Sequence, residues 1–154
     1  TWAALSTRKV VENLRKQMRY KRHRRKLIVA SKAYINFLEA GGKLLSAELD
    51  EPLIKGYLKK SIPIIAGLSA TYLYGTPREI PSTNKFDSIR GEPVGHFAII
   101  NGYDGNSNAV FLADPMNPNP LKSQYYSVTF DRLLNSIMLG IVTYDANLLI
   151  IQPK

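Results

Sequence analysis

A chain of 154 residues with 45% hydrophobic content holds enough apolar side chains for one respectable core, so a single domain over residues 1–154 is the default expectation. It contains no cysteine, which excludes disulfides and thiolate metal sites, and two well-separated histidines do not make a zinc site of the usual composition; neither metal nor cofactor is expected. The net charge of +9 is concentrated, because Arg8 to Lys26 carries ten Lys or Arg (8, 9, 15, 16, 19, 21, 22, 24, 25 and 26) against Glu12 alone, leaving 11 bases and 11 acids elsewhere.

The chain opens on threonine with no charged-then-apolar leader, which reads as neither a signal peptide nor a natural start. The expectation is a fragment of a longer, cytoplasmic protein. Trp2 reads as a packing anchor. Ser6 is a helix N-cap candidate, and Val10, Leu14 and Met18 follow at helical spacing, so a helix is predicted from Thr7. The apolar stripe lapses through "RYKRHRRK" and resumes from Leu27 to Leu38 until Gly41-Gly42 stops it. This predicts one long helix with an exposed basic middle, or two helices broken near Lys21. The basic helical part is set at residues 1–42 and a sheet part at 43–154.

Lys43 to Ser46 is read as a short strand, and Asp50-Glu51-Pro52 as the cap and first turn of a helix reaching Lys60. "SIPIIAGLSA" (Ser61 to Ala70) is a buried strand with its proline at the tolerated end. The longest mostly apolar run, Ile62 to Tyr74, is 13 residues against the roughly 20 a bilayer span needs. No transmembrane segment is predicted and the reading is a soluble protein. Gly75 to Gly95 is a long polar loop broken by Pro77, Pro81, Gly91 and Pro93, of the kind that is often functional.

His96 to Pro115, "HFAIINGYDGNSNAVFLADP", reads as two strands around a polar turn, with a histidine starting the first and an aspartate ending the second. "PMNPNP" is a rigid loop, "YYSVT" (Tyr125 to Thr129) a strand, "FDRLLNSIML" (Phe130 to Leu139) a short amphipathic helix and "NLLIIQ" (Asn147 to Gln152) a closing strand. Helices followed by runs of strands favour an α+β fold with an antiparallel sheet over a doubly wound parallel one.

Residues equally far from a hairpin's centre face each other across the ladder. The midpoint of His96 and Asp114 is position 105, inside the turn, so a tight turn there sets imidazole and carboxylate side by side, while a one-residue slip separates them. A carboxylate on one ring nitrogen fixes the tautomer and leaves the other nitrogen to take a proton from a nucleophile. The plainer alternative is a strand-end histidine and an Asp-Pro turn.

The block from Gly95 to Pro115 resembles the His–Asp half of the bacteriocin-processing, papain-like cysteine peptidases that cut after double-glycine leaders. The matching elements are His96, Phe97 to Ile100, Gly102-Tyr103-Asp104, Val110 to Ala113 and Asp114-Pro115. "LIKGYLKKSIPIIAGLS" before them and "YYSVTFDRLL" after them extend the resemblance to roughly Gly42 to Gln152. It implies a bacterial, papain-like hydrolase acting on a peptide or protein, with His96 as general base and acid and Asp114 as its orienter. The family cysteine lies on an N-terminal helix after a glutamine of the oxyanion hole. Gln17 is followed by no cysteine here, so the thiol is expected from a missing N-terminal segment. The rival reading is a catalytically dead module that binds a peptide or partner.

A serine substitute is not expected, since Ser6, Ser69 and Ser107 sit in no Gly-x-Ser-x-Gly elbow and "GLSA" is a partial echo. Tyr72, Tyr74 and Arg90 flank the route into His96 and are candidates to face substrate; of Tyr125 and Tyr126, which alternate faces, at most one points to the site. The basic run suits phosphate contacts with nucleic acid, or an acidic partner, with a solvated helix face as the plain alternative. "DGNSN" lacks the acidic spacing and terminal glutamate of a calcium loop.

Overall fold

The computed structural model describes residues 6–144 and 146–152; Trp2 lies outside them. The chain forms two compact units, Thr1–Glu48 and Leu49–Lys154.

The first unit is a helical hairpin. Helix α1 (Thr7–Tyr20) starts where Ser6 Oγ accepts from the Lys9 amide at 3.4 Å, and α2 (Arg25–Glu39) follows a turn over residues 21–24. Of the two helical expectations, the broken one holds. Val10, Val11 and Leu14 of α1 pack with Ile35 and Leu38 of α2. Arg15 Nη2 meets Glu39 Oε1 at 2.6 Å. Gly41 takes φ 93°, a left-handed value that needs no Cβ and stops the helix. Residues 42–49 form no strand, correcting the strand expected at Lys43 to Ser46. That stretch has apolar Leu44 and Leu45, but both are exposed and neither has a ladder partner.

The second unit starts with α3 (Glu51–Leu58), capped by Asp50 Oδ1 accepting from the Leu53 amide at 2.8 Å. Strand β1 (Ile64–Ser69) runs straight into a short helix that the sequence reading lacked, α4 (Ala70–Tyr74). Ser69 Oγ caps it through the Tyr72 amide, and Gly75 at φ 67° ends it. The supposed loop from Gly75 to Gly95 contains a small ladder, β2 (Glu79–Ile80) with β3 (Lys85–Phe86). Then come β4 (Gly95–Tyr103), β5 (Ala109–Ala113), β6 (Tyr125–Thr129), α5 (Phe130–Leu139), a 3-10 turn over Gly140–Thr143 and β7 (Asn147–Ile150).

The main sheet has the order β6-β5-β4-β1-β7 with every pair antiparallel, so the fold is α+β as expected. Alternation decides which face is covered. Ile64, Ala66 and Leu68 of β1, Ala98 and Ile100 of β4, and Val110 and Leu112 of β5 are buried with Leu73, Phe130, Leu133 and Ile137 from α4 and α5. Phe97, Ile99, Phe111 and Tyr125 point the other way and are exposed. No helix of the described residues is long and apolar enough to cross a membrane.

Candidate functional site

His96 is the second residue of β4 and pairs with Leu68 of β1. The approach to it is pinned to α4, because the Val94 amide donates to Thr71 Oγ1 at 3.1 Å and the Val94 carbonyl accepts from the Ala70 amide at 2.9 Å. Asp114 follows the last residue of β5, and its amide donates to the Gln124 carbonyl at 2.8 Å, which extends the β5–β6 pairing by one step. Both side chains stand on the buried face. His96 Nε2 and Asp114 Oδ1 are 2.8 Å apart, with side-chain exposures of 12% and 0%.

They do not meet as directly opposed residues. Gly102 pairs with Phe111 and Tyr103 with Val110, whereas past an irregularity between Ile100 and Gly102 the pairs are Ile100 with Leu112 and Ile99 with Ala113. One step further sets Asp114 opposite Ala98, so the hairpin is centred beyond the midpoint at position 105. His96 is the diagonal neighbour. A shift of two keeps both side chains on one face, where a shift of one would have parted them, and diagonal neighbours about 7–8 Å apart are within reach of a histidine and a carboxylate.

The carboxylate is fully engaged. Oδ1 also accepts from the Met116 amide at 2.9 Å, and Oδ2 accepts from the hydroxyls of Tyr74 and Tyr126, each at 2.6 Å. Burial pushes the Asp114 pKa up, but the hydrogen bonds from Tyr126, Tyr74, Met116 and His96 outweigh it and leave it below the ordinary value of 3.8. Burial, then the bond to Asp114, pushes both phenols well above their ordinary value of 10.0. The carboxylate is therefore ionised and the phenols are donors at neutral pH. The loop after Asp114 is braced by buried Asn119, whose amide donates to the Ser123 carbonyl at 2.8 Å and to the Met116 carbonyl at 3.3 Å. This holds the Met116 amide where it caps Oδ1.

The His96 ring makes one further contact, with Tyr74, at 6.0 Å between centroids. Among the described residues Nδ1 has no hydrogen-bond partner and no fully buried side-chain nitrogen or oxygen lacks one, so Nδ1 keeps some exposure to solvent. Bonding of Nε2 to a carboxylate assigns the neutral ring as the Nε2–H tautomer, with Nδ1 as a base.

The other candidates scatter. Tyr74 joins the pair by its hydroxyl. Tyr72 is exposed, with the Arg132 guanidinium 5.4 Å from its ring centroid, and Arg132 also caps the end of α4 through the carbonyls of Leu73 and Tyr72, both at 2.8 Å. Arg90 is exposed and bound at 2.6 Å to Asp87. Among the described residues the partners of Tyr72 and Arg90 are Arg132 and Asp87, away from His96 and Asp114. Ser69 caps α4, Ser107 donates to Asp104 at 2.7 Å, and Gln17 lies within α1. The partner that sequence reasoning missed is the Met116 amide, and the Tyr126 hydroxyl belongs to a pair of tyrosines it left open. Alternation had allowed only one of the two adjacent tyrosines into the site; pairing of Leu112 with Tyr126 makes it Tyr126. No group of three or more His, Cys, Asp or Glu placed to hold a metal occurs among the described residues.

The sheet unit is thus an antiparallel α+β fold with an imidazole bonded to an ionised carboxylate on its inner face, the pair that the resemblance to cysteine peptidases implies. Comparison with family models agrees: the one described as the Peptidase_C39 like family matches residues 12–136. The chain belongs to that family and is a cysteine-peptidase-like domain. The match begins within α1, upstream of the Gly42 expected from the sequence, and ends within α5. No curated protein and no solved structure gives a significant match.

Proposed function

We propose that this chain carries the His–Asp half of a papain-like cysteine peptidase site, with His96 as general base and acid, Asp114 as its orienter, and the thiol supplied by a cysteine outside these 154 residues. The observation that carries it is the division of labour at the imidazole: Nε2 is held by Asp114 at 2.8 Å while Nδ1 is open to accept a proton. In that scheme the thiol gives its proton to Nδ1 and the thiolate attacks the peptide carbonyl. The imidazolium then protonates the leaving amine, and water hydrolyses the acyl-thiol. The substrate is a peptide or protein, and the setting a bacterial cytoplasm. In this scheme the chain acts together with a cysteine-bearing segment of the same peptidase domain, with Tyr72 and Arg90 on the substrate side.

The test has two parts. The 154-residue chain should show no peptide hydrolysis that depends on His96, and thiol-independent cleavage lost in His96→Ala would overturn the scheme. The coding region upstream of Thr1 should encode a glutamine followed by cysteine, and the longer protein should cleave peptides in a manner abolished by thiol alkylation and by His96→Ala. The absence of cysteine from the chain favours a second reading, a silent module that binds a peptide or an acidic partner. An upstream region without cysteine would establish it over the first.

A further inference from the structure

Asp114 holds His96 with one oxygen only. The other, Oδ2, accepts two hydroxyl donors at 2.6 Å, Tyr74 from the end of α4 and Tyr126 from β6. These are short, charge-assisted bonds, and they come from elements on opposite sides of the carboxylate in sequence. We propose that Tyr74 and Tyr126 are positioning residues of the His96 site, which fix the plane of the Asp114 carboxylate and draw part of its charge to the oxygen that faces away from the imidazole. His96 then faces a correctly aimed but weakened counter-ion. The inference rests on the reading of His96 as the base.

The physical reasoning runs through the two oxygens. A carboxylate facing only an imidazole concentrates its charge there and stabilises the imidazolium fully. Each phenol that donates to Oδ2 competes for the same charge, and in a water-poor setting that competition is strong. Neither phenol gives up its proton in the range where an imidazole titrates, since burial and the bond to Asp114 both oppose ionisation. The groups facing His96 are few: Asp114 itself, the Tyr74 ring tilted at 46°, and Leu68 across the ladder on β1. The ionic partner that the geometry gives it is Asp114, at 2.8 Å. The network is thus small enough that removing one hydroxyl has a predictable sign. For a site that works through a thiol, the strength of the counter-ion sets how far the proton moves from sulfur to Nδ1 at rest.

The experiment needs no thiol. The chain has two histidines, and exposed His23 in the turn between α1 and α2 serves as an internal reference for His96. Imidazole resonances of the intact chain are followed against pH by 1H–15N NMR in the unsubstituted protein, Tyr126→Phe, Tyr74→Phe and Asp114→Asn. Phenylalanine keeps the ring and removes the hydroxyl. The expected result is a shift of the His96 titration to higher pH in each tyrosine variant, a shift to lower pH in Asp114→Asn, and no change at His23. A His96 titration that stays in place or moves to lower pH in both Phe variants overturns the proposal, and a loss of thermal stability alone means that the tyrosines only pack. Tyr74→Phe and Tyr126→Phe are read separately, so one that fails to fold leaves the other decisive. Failure here leaves the peptidase reading standing, because that reading is judged by thiol-dependent hydrolysis in the longer protein.

Discussion

The helical hairpin and the sheet unit differ in where they put their charges. In the hairpin, five apolar side chains 5–7% exposed make the whole buried cluster, and the cations of the run from Arg8 to Lys26 stand around it in solvent. The acids within its two helices are both paired, Glu12 with Arg8 and Lys9 and Glu39 with Arg15. In the sheet unit the core reaches 0–2% exposure, and one carboxylate sits inside the same boundary with four donors around it. The lesson is that a surface charge needs little support from the fold, while a buried one forces several elements into register before it is tolerated. Chemistry that depends on direction belongs to the second arrangement.

The contrast is most directly broken by cavities. Phe130→Ala in the sheet unit should cost about 3–5 kcal/mol, since its ring is fully buried between α5 and the sheet, and denaturant unfolding reads it as a lower midpoint. A loss below about 1 kcal/mol would mean that this core is no better packed than the hairpin's.

Asp114→Asn should cost about 2–3 kcal/mol, because an amide nitrogen cannot accept from the hydroxyls or the imidazole N–H that an ionised oxygen satisfies. It should also change the acid limb of stability. The unfolded group titrates near 3.8 and the folded one lower, so its contribution is complete above about pH 5 and falls as pH drops through the folded pKa. Urea midpoints measured across that window should slope less in Asp114→Asn than in the unsubstituted chain.

Asp50→Ala should cost about 1 kcal/mol, the loss of a cap at the start of α3. Smallest of all, Arg22→Ala with Arg24→Ala and Arg25→Ala should change stability by less than about 0.5 kcal/mol, as befits exposed cations without a structural role. The same triple change should shorten retention on a polyanion column and flatten its salt dependence, because these side chains are free to release counterions. Unchanged retention would leave the run as a solvated face.

Local chemistry was legible wherever it was local. Ser6 and Asp50 act as the caps their side chains advertise, and the α5 and β6 boundaries at Phe130–Leu139 and Tyr125–Thr129 fall where periodicity switches. Short elements were harder. Helix α4 spans five residues, too few for a period to show, and its cap, Ser69, looked like part of a strand. The strand imagined at Lys43 to Ser46 had apolar residues but no partner, and pairing, which sequence does not display, is what makes a strand.

The sequence by itself determined the α+β order of elements, the basic first helices, and the nomination of His96 and Asp114 from their spacing around a polar turn. Only the tertiary structure decided how they meet. The register near the turn would set Asp114 opposite Ile99, an odd offset from His96. The irregularity between Ile100 and Gly102 shifts it by one to Ala98, and the contact survives because the resulting offset is even. It alone also brought Tyr74 from α4 and Tyr126 from β6 to the same oxygen, since a buried carboxylate must recruit its donors from whatever elements pack nearby, however far apart they lie in the chain.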